Sequence, residues 1–143
     1  MIHSENFIVY NEYISDEKRA ELFRRASIVV LPYVEASQSG VIPLAYTFEK
    51  PVIATTVGGL PEMVEHGRTG YLVPPRNERA LADAIVHLLE NRELRHQLGK
   101  NGKQKIDTEC SPRTVAEKTL AAYRLAIRMR RADSFRKKEP SAS

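Results

Sequence analysis

A polar turn at residues 35–40 contains the strongest candidates for ligand chemistry in this chain. It reads Glu-Ala-Ser-Gln-Ser-Gly and lies between an apolar run that ends at Leu31 and a second apolar segment, 41–48. Where a strand leads into a turn of small residues at the start of a helix, the first backbone N–H groups lack partners and point outward. Because such groups suit a phosphate, the pattern predicts a ligand-facing turn.

The same arrangement follows immediately along the chain. Residues 51–54 have the composition of a second strand, and Gly58, Gly59 and Pro61 form a second turn into a helix. Two neighbouring strand-to-helix turns indicate a ligand crevice at the carboxyl ends of parallel strands. The two glycines fit either a phosphate site or ordinary turn chemistry.

The elements that must position these turns alternate between short apolar strands and helices. The sequence predicts strands at 7–10, 27–31 and 51–54 and a weaker one at 71–73, with 7–10 as a buried strand. Ser15, Asn77 and Ser111 are predicted to cap helices, and residues 80–89 show helical spacing of apolar side chains. The pattern predicts an α/β fold: a Rossmann-like parallel sheet with flanking helices.

Composition limits the chain to one domain's worth of an ordinary globular protein. It has 143 residues, of which 42% are hydrophobic and 28% charged. No apolar run approaches the roughly 20 residues of a membrane span, and the first residues do not resemble a signal peptide. A cytoplasmic location is therefore expected. Cys110 is the only cysteine, so the sequence predicts no disulfide and no zinc site.

The positive net charge belongs to the end of the chain. Residues 1–123 hold 15 Lys and Arg against 16 Asp and Glu, whereas 124–138 hold seven basic residues and the single acid Asp133. This basic run contains too few aromatics for a nucleic-acid platform and suits either contact with anionic lipid headgroups or simple solvation. We expect a domain at 1–132 and a disordered basic tail at 133–143.

Three segments resemble the carboxyl-terminal half of retaining GT-B glycosyltransferases of family 4, which include glycogen synthases, sucrose-phosphate synthases and bacterial mannosyltransferases. The segments are YISDEKRAELFRRASIVVLPYVEAS, GVIPLAYTFEKPVIATTVGGLPEMVEHGRTGYLVPP and NERALADAIVHLLEN. The resemblance implies a truncated GT-B half that binds the donor, a UDP, GDP or ADP sugar, in the cleft between two Rossmann-like domains. We expect no metal and no cofactor.

The resemblance also implies roles for individual residues. The backbone near Ile14 would face the nucleotide base, and Glu35 would accept hydrogen bonds from hydroxyls of the transferred sugar. An ionised acceptor suits this role because its hydrogen bonds are about twice as strong as neutral ones. Side-chain contacts are expected from Gln38 or Ser39. Backbone N–H groups would point to the sugar or diphosphate; they belong to Ser39, Gly40 and Val41.

The chain departs from the family pattern at Pro43, where the family places a second glutamate that holds the ribose. The family's basic pair for the diphosphate and its amino-terminal, acceptor-binding domain have no counterpart in the sequence. We therefore expect part of a donor site, no catalytic residue and no hexose transfer by the chain alone. The alternative is a non-catalytic interaction module that pairs with a separate amino-terminal half or with an anionic membrane surface.

Two tyrosines beside the first turn, Tyr33 and Tyr46, could stack on a sugar or base, although the side chain of a tyrosine in such a position more often closes the rim of a core. None of the four histidines is assigned to catalysis, because none has a partner at metal-ligand or triad spacing. An open sheet edge would also allow the chain to form dimers.

Overall fold

The computed structural model describes residues 4–136 and the side chains of residues 5–129. After a short 3-10 turn at Ser4–Asn6, the chain forms three strands and six helices within this range. The strands are β1 (Val29–Leu31), β2 (Val52–Thr55) and β3 (Gly70–Val73). The helices are α1 (Asp16–Arg25), α2 (Val41–Thr47), α3 (Leu60–Met63), α4 (Glu78–Glu90), α5 (Arg92–Glu109) and α6 (Pro112–Arg136).

The three strands form one parallel sheet in the order β1-β2-β3. Val30, Ile53 and Tyr71 share one row of the register. All four residues of β2 are buried, as expected for a central strand covered on both faces. The α/β class, the parallel sheet and three of the four predicted strands are confirmed.

Helices α4 and α5 cover one face of the sheet. Ile53, Val73, Leu88 and Leu98 form the buried cluster there, and the inward face of α4 packs against it. Leu89, which the spacing placed on the inward stripe, is exposed instead. The three predicted caps are confirmed, since Ser15, Asn77 and Ser111 each accept a hydrogen bond from the backbone N–H three residues later.

Helix α2 is fixed by a buried tyrosine. The Tyr46 side chain is 2% exposed, and its hydroxyl lies 2.7 Å from Thr69 Oγ1, which also accepts a hydrogen bond from the Glu65 N–H. A Cβ at Gly102 would collide with the Tyr46 ring, so α5 needs a glycine at this close approach. Tyr46 is therefore a core residue and is not available to stack on a ligand.

The predicted buried strand at 7–10 is wrong. These residues form no strand in the described structure, and Phe7, Ile8 and Val9 are 65%, 77% and 82% exposed. An apolar run becomes a strand only when a neighbouring strand accepts and donates its backbone hydrogen bonds. Residues 7–10 do not pair with the open edge of β1, so the run remains irregular.

The described residues form two compact units, the first ending at Lys103 and the second beginning at Gln104. The first holds the sheet and the second holds α6. Helix α6 continues through Arg136, past the expected start of the tail, and the rest of that predicted tail, 137–143, lies outside the described residues. Within residues 4–136, no helix is both long enough and apolar enough to cross a bilayer.

Candidate functional site

The first strand-to-helix turn, residues 32–40, is anchored to the carboxyl edge of the sheet. Thr55, the last residue of β2, donates its hydroxyl hydrogen to the Tyr33 carbonyl oxygen at 2.6 Å. This bond connects the end of the central strand to the loop that leaves β1. The predicted ligand turn is therefore fixed where parallel strands end, which is where ligands bind in open α/β sheets.

The second turn, residues 56–59, packs directly on the first. The Gly59 N–H donates to the Ser37 carbonyl oxygen at 2.8 Å. A Cβ on Gly59 would lie 2.7 Å from that same oxygen. A Cβ on Gly58 would overlap the Ala36 carbonyl oxygen, and Gly58 also has a φ of +52°. Both glycines are thus required by backbone packing and conformation.

Gly40 lies in a different environment. Its backbone is right-handed helical, with φ −68° and ψ −13°, so any residue could adopt this conformation. A Cβ at this position would have no heavy atom within 4 Å. The fold therefore does not require glycine at position 40, and open space lies where a side chain would project.

Ser39 and Val41 are linked by a local hydrogen bond beside Gly40. The Val41 N–H donates to Ser39 Oγ at 3.3 Å, and the Ser39 side chain is buried. Because this hydroxyl accepts a hydrogen bond from the backbone, its own hydrogen can point away from Val41. Ser39 can therefore act as a donor toward an adjacent acceptor while its Oγ is held in place.

Glu35 and Gln38 are exposed on the same turn. Among the described residues, neither side chain forms a hydrogen bond or ion pair. The Cγ of Gln38 lies close to the position that a Cβ added at Gly59 would occupy. Five of the six predicted binding residues thus lie in one short segment, which ends at the first residue of α2 and which we call the 35–41 turn: Glu35, Gln38, Ser39, Gly40 and Val41.

Ile14 lies in a separate surface cavity of about 240 Å³, formed by residues of the 10–18 segment. Lys18 in this cavity donates to the Glu21 carboxylate at 3.1 Å, and this hydrogen bond with its charge raises the pKa of Lys18 above the ordinary value. The same contact, with a further one from Arg25, lowers the pKa of Glu21. No residue of the 35–41 turn lines this cavity.

The structure also contains a small cavity at the sheet edge where the sequence predicted a ligand crevice. It has a volume of about 130 Å³ and lies at the carboxyl ends of all three strands, with Val34, Thr55 and Val73 in its wall. Arg76 also lines it and has an unusual φ of +57°. The sequence analysis did not name Arg76 as a candidate. Its position shortly after the predicted strand 71–73 was the signal that could have identified it.

The remaining candidates near the turn, Pro43 and Tyr33, are both half-buried. Pro43 lies in α2, where its carbonyl oxygen accepts from the Thr47 hydroxyl at 3.0 Å. In the described part of the chain, no three His, Cys, Asp or Glu side chains lie close enough together to hold a metal ion.

Comparison with known proteins gives a consistent result. Residues 2–91 match the family model for glycosyl transferases group 1. The chain is 37% identical over 108 residues to an uncharacterized glycosyltransferase of Methanocaldococcus jannaschii, a match covering 70% of this chain and 31% of that protein. The chain spans about a third or less of the length of the curated relatives that it matches.

Solved structures share the fold. Sucrose-phosphate synthase from Thermosynechococcus elongatus superimposes with a TM-score of 0.70 at 32% identity, over 81% of this chain and 29% of that one. Anabaena HepE, solved in complex with UDP-glucose, gives a TM-score of 0.62 at 25% identity over 74% of this chain and 29% of its own. The chain therefore belongs to the group 1 glycosyl transferases and corresponds to the carboxyl-terminal domain of a GT-B glycosyltransferase.

Proposed function

We propose that this chain supplies the donor-binding part of a glycosyltransferase, with the 35–41 turn holding a UDP, GDP or ADP sugar. The observation that carries the proposal is the contrast within the packed pair of turns. Gly58 and Gly59 are needed by the fold, whereas Gly40 faces open space beside two exposed polar side chains. A ligand that approaches the backbone closely explains a glycine that packing and conformation do not require.

The groups on this turn suit the two halves of a nucleotide sugar. The Glu35 carboxylate accepts hydrogen bonds from sugar hydroxyls, and these charge-assisted bonds are strong. The Gly40 N–H and the Ser39 hydroxyl donate toward the sugar or the diphosphate, and Gln38 adds a flexible amide. The backbone near Ile14 faces the base. The complex of Anabaena HepE with UDP-glucose supports a donor of this class.

The proposed reaction is transfer of a hexose from this donor to an acceptor. The leaving diphosphate is stabilised by cations or N–H donors aimed at its oxygens, and such electrostatic stabilisation often supplies most of the rate enhancement of an enzyme. Arg76 is the only cationic residue lining the small cavity at the carboxyl edge in the described structure. A single cation is fewer than the basic pair that the resemblance led us to expect for the diphosphate. We therefore propose that residues 1–143 bind the donor but do not transfer the sugar without further groups.

Calorimetric titration of the 143-residue chain with UDP-, GDP- and ADP-sugars tests this proposal. We expect saturable, weak binding of at least one donor and no sugar transfer. Glu35→Gln keeps the shape of the side chain and removes its charge, so it should weaken binding. Glu90→Gln, on the exposed end of α4, is the matched control. Absence of binding to every donor at millimolar concentration, by a folded sample, would contradict the proposal.

A second candidate function is supported by α6. Several of its apolar side chains are more than half exposed, including Leu120, Tyr123, Leu125, Ile127 and Met129. Together with the basic run 124–138, they fit a segment that contacts an amino-terminal partner domain or the anionic headgroups of a cytoplasmic membrane surface. Sedimentation with anionic vesicles tests the membrane alternative. Deletion of 124–143 should abolish vesicle binding, and unchanged vesicle binding would exclude this role.

A further inference from the structure

A basic cavity lies at the opposite end of the sheet from the 35–41 turn. Its volume is about 250 Å³. Its wall includes Ser27, which shortly precedes β1, and Pro51, which directly precedes β2. The amino ends of the strands therefore border this basic cavity, whereas the candidate donor turn lies at their carboxyl ends. The cationic side chains around it come from three separate parts of the chain: Arg24, Arg25, Lys50, Arg92 and Arg95.

The charge of these side chains is poorly balanced. Glu49 provides the only carboxylate in the wall, and His96 adds a further potential donor. Arg25 forms an ion pair with Glu21 at 3.3 Å. For the other four cations, the described part of the chain contains no carboxylate within ion-pair distance. The cavity thus carries a surplus of positive charge that attracts anions.

Several of these cations are held in place by neutral groups. Lys50 Nζ donates to the Arg24 carbonyl oxygen at 3.1 Å, and Arg95 Nη1 donates to the Leu88 carbonyl oxygen at 2.7 Å. The Arg24 guanidinium lies 5.8 Å from the centre of the Phe48 ring. Carbonyl oxygens and aromatic rings orient a cation without cancelling its charge, so part of the ordering needed for anion binding is already present.

The size and chemistry of the cavity restrict its occupant. Its volume of about 250 Å³ is below the roughly 300–1,000 Å³ of pockets for drug-sized ligands, which favours a compact ligand. Guanidinium groups pair with phosphate oxygens through two parallel N–H donors, which favours phosphate over monovalent anions.

We propose that this cavity binds a compact phosphate-bearing anion, namely a diphosphate or a phosphate monoester. The ligand is either a free phosphorylated small molecule or the headgroup of an anionic lipid, since both present the same chemistry. The site is distinct from the donor turn and does not depend on the function proposed for that turn.

Calorimetric titration of the full chain with sodium pyrophosphate tests the site. The double variant Arg24→Gln/Arg92→Gln removes two charges. It keeps the hydrogen bonds of Lys50 and Arg95 to backbone carbonyl oxygens. We expect it to weaken pyrophosphate binding at least tenfold. Arg79→Gln, on the exposed side of α4 and outside the cavity, should change the affinity less than twofold. Circular dichroism melting verifies that each variant is folded.

A gain-of-binding variant complements this loss. Glu49→Gln removes the single carboxylate of the wall, so it should tighten pyrophosphate binding at least twofold. If pyrophosphate does not bind, or if the double variant and the wild type bind equally, the site is excluded. Loss of pyrophosphate binding in Gly40→Ala, with retention in the double variant, would place the anion at the donor turn and also contradict the proposal.

Vesicles containing phosphatidic acid distinguish the two sources of phosphate. Binding that pyrophosphate displaces, and that the double variant abolishes, supports a lipid headgroup as the ligand. Pyrophosphate binding without any vesicle binding supports a free phosphorylated molecule. Vesicle binding that is unchanged in the double variant, combined with no binding of pyrophosphate, would refute the cavity as the site.

Discussion

The two strand-to-helix turns at the carboxyl edge hold glycines in opposite surroundings. In the second turn, Gly58 has a left-handed backbone and lies against the Ala36 carbonyl, while Gly59 lies against Ser37. In the first turn, Gly40 has an ordinary helical backbone and no neighbour in the direction of a side chain. The second turn is a packing element that supports the first, and the first is the surface available to a ligand.

This difference shows why glycine in a turn is not by itself a sign of a binding site. The residue type is the same in both turns, and the sequence around each predicts an outward-facing backbone. Only the surroundings of each Cβ position separate a glycine that the fold needs from one that the fold does not need. Stability and donor binding should therefore respond differently to substitutions in the two turns.

The strongest effect is expected from Gly58→Ala. The new methyl group would overlap the Ala36 carbonyl oxygen, and alanine would be held at a φ of +52°. Left-handed strain and overpacking together should lower the free energy of unfolding by about 3 kcal/mol. Urea unfolding with Gly40→Ala as the matched control measures this. Equal stability of the two variants would show that the turns do not differ in packing.

Gly40→Ala should have its effect on binding. A methyl group here enters open space, so unfolding free energy should change by less than about 1 kcal/mol. The same methyl group should obstruct a close ligand and weaken donor binding about tenfold, which corresponds to about 1.4 kcal/mol. Calorimetry with the wild type and the variant checks the affinity, and urea unfolding checks the stability. An unchanged affinity would assign Gly40 no role in the site.

Glu49→Gly tests whether backbone conformation governs the requirement for glycine. Glu49 has a φ of +54°, close to that of Gly58, and it ends α2 with hydrogen bonds from Glu49 N–H to Tyr46 and from Lys50 N–H to Ala45. These bonds form a Schellman cap, which favours glycine at this position. The variant should gain about 1 kcal/mol of stability. A loss in thermal unfolding experiments would contradict this.

The smallest effect is expected from Ser39→Ala. Its hydroxyl accepts from the Val41 N–H at 3.3 Å, a long bond at the start of a short helix. Removing it should cost about 0.5–1 kcal/mol of unfolding free energy. Donor affinity should also fall, because the hydroxyl is a proposed ligand contact. Ser37→Ala, on an exposed side chain of the same turn, is the control and should leave both unchanged.

Local signals in the sequence predicted much of the framework. Ser15, Asn77 and Ser111 cap helices as their positions indicated, because a cap depends only on the next three residues. The strands at β1, β2 and β3 were recognisable from short apolar runs ended by turn residues. The placement of the two turns side by side followed from the general rule that parallel strands end at one edge.

Features that depend on distant residues could not be predicted in this way. Residues 7–10 have a strand composition but no pairing partner in the described structure. The basic cavity joins residues 24–27, 49–51 and 92–96, which approach one another only in the folded chain. Likewise, Gly99 and Gly102 lie inside α5, where glycine is intrinsically unfavourable, yet the helix is continuous because both glycines allow close packing on Glu49 and Tyr46.

Amide-resolved NMR titration of the chain with UDP-, GDP- and ADP-sugars tests the central claim most directly, because it locates a bound donor residue by residue. We expect the largest shift changes at the amides of Ser39, Gly40 and Val41, small changes at Gly58 and Gly59, and none at Arg92. Changes centred on Arg92 to His96, or no changes with any donor at millimolar concentration, would contradict the assignment of the donor site to the 35–41 turn.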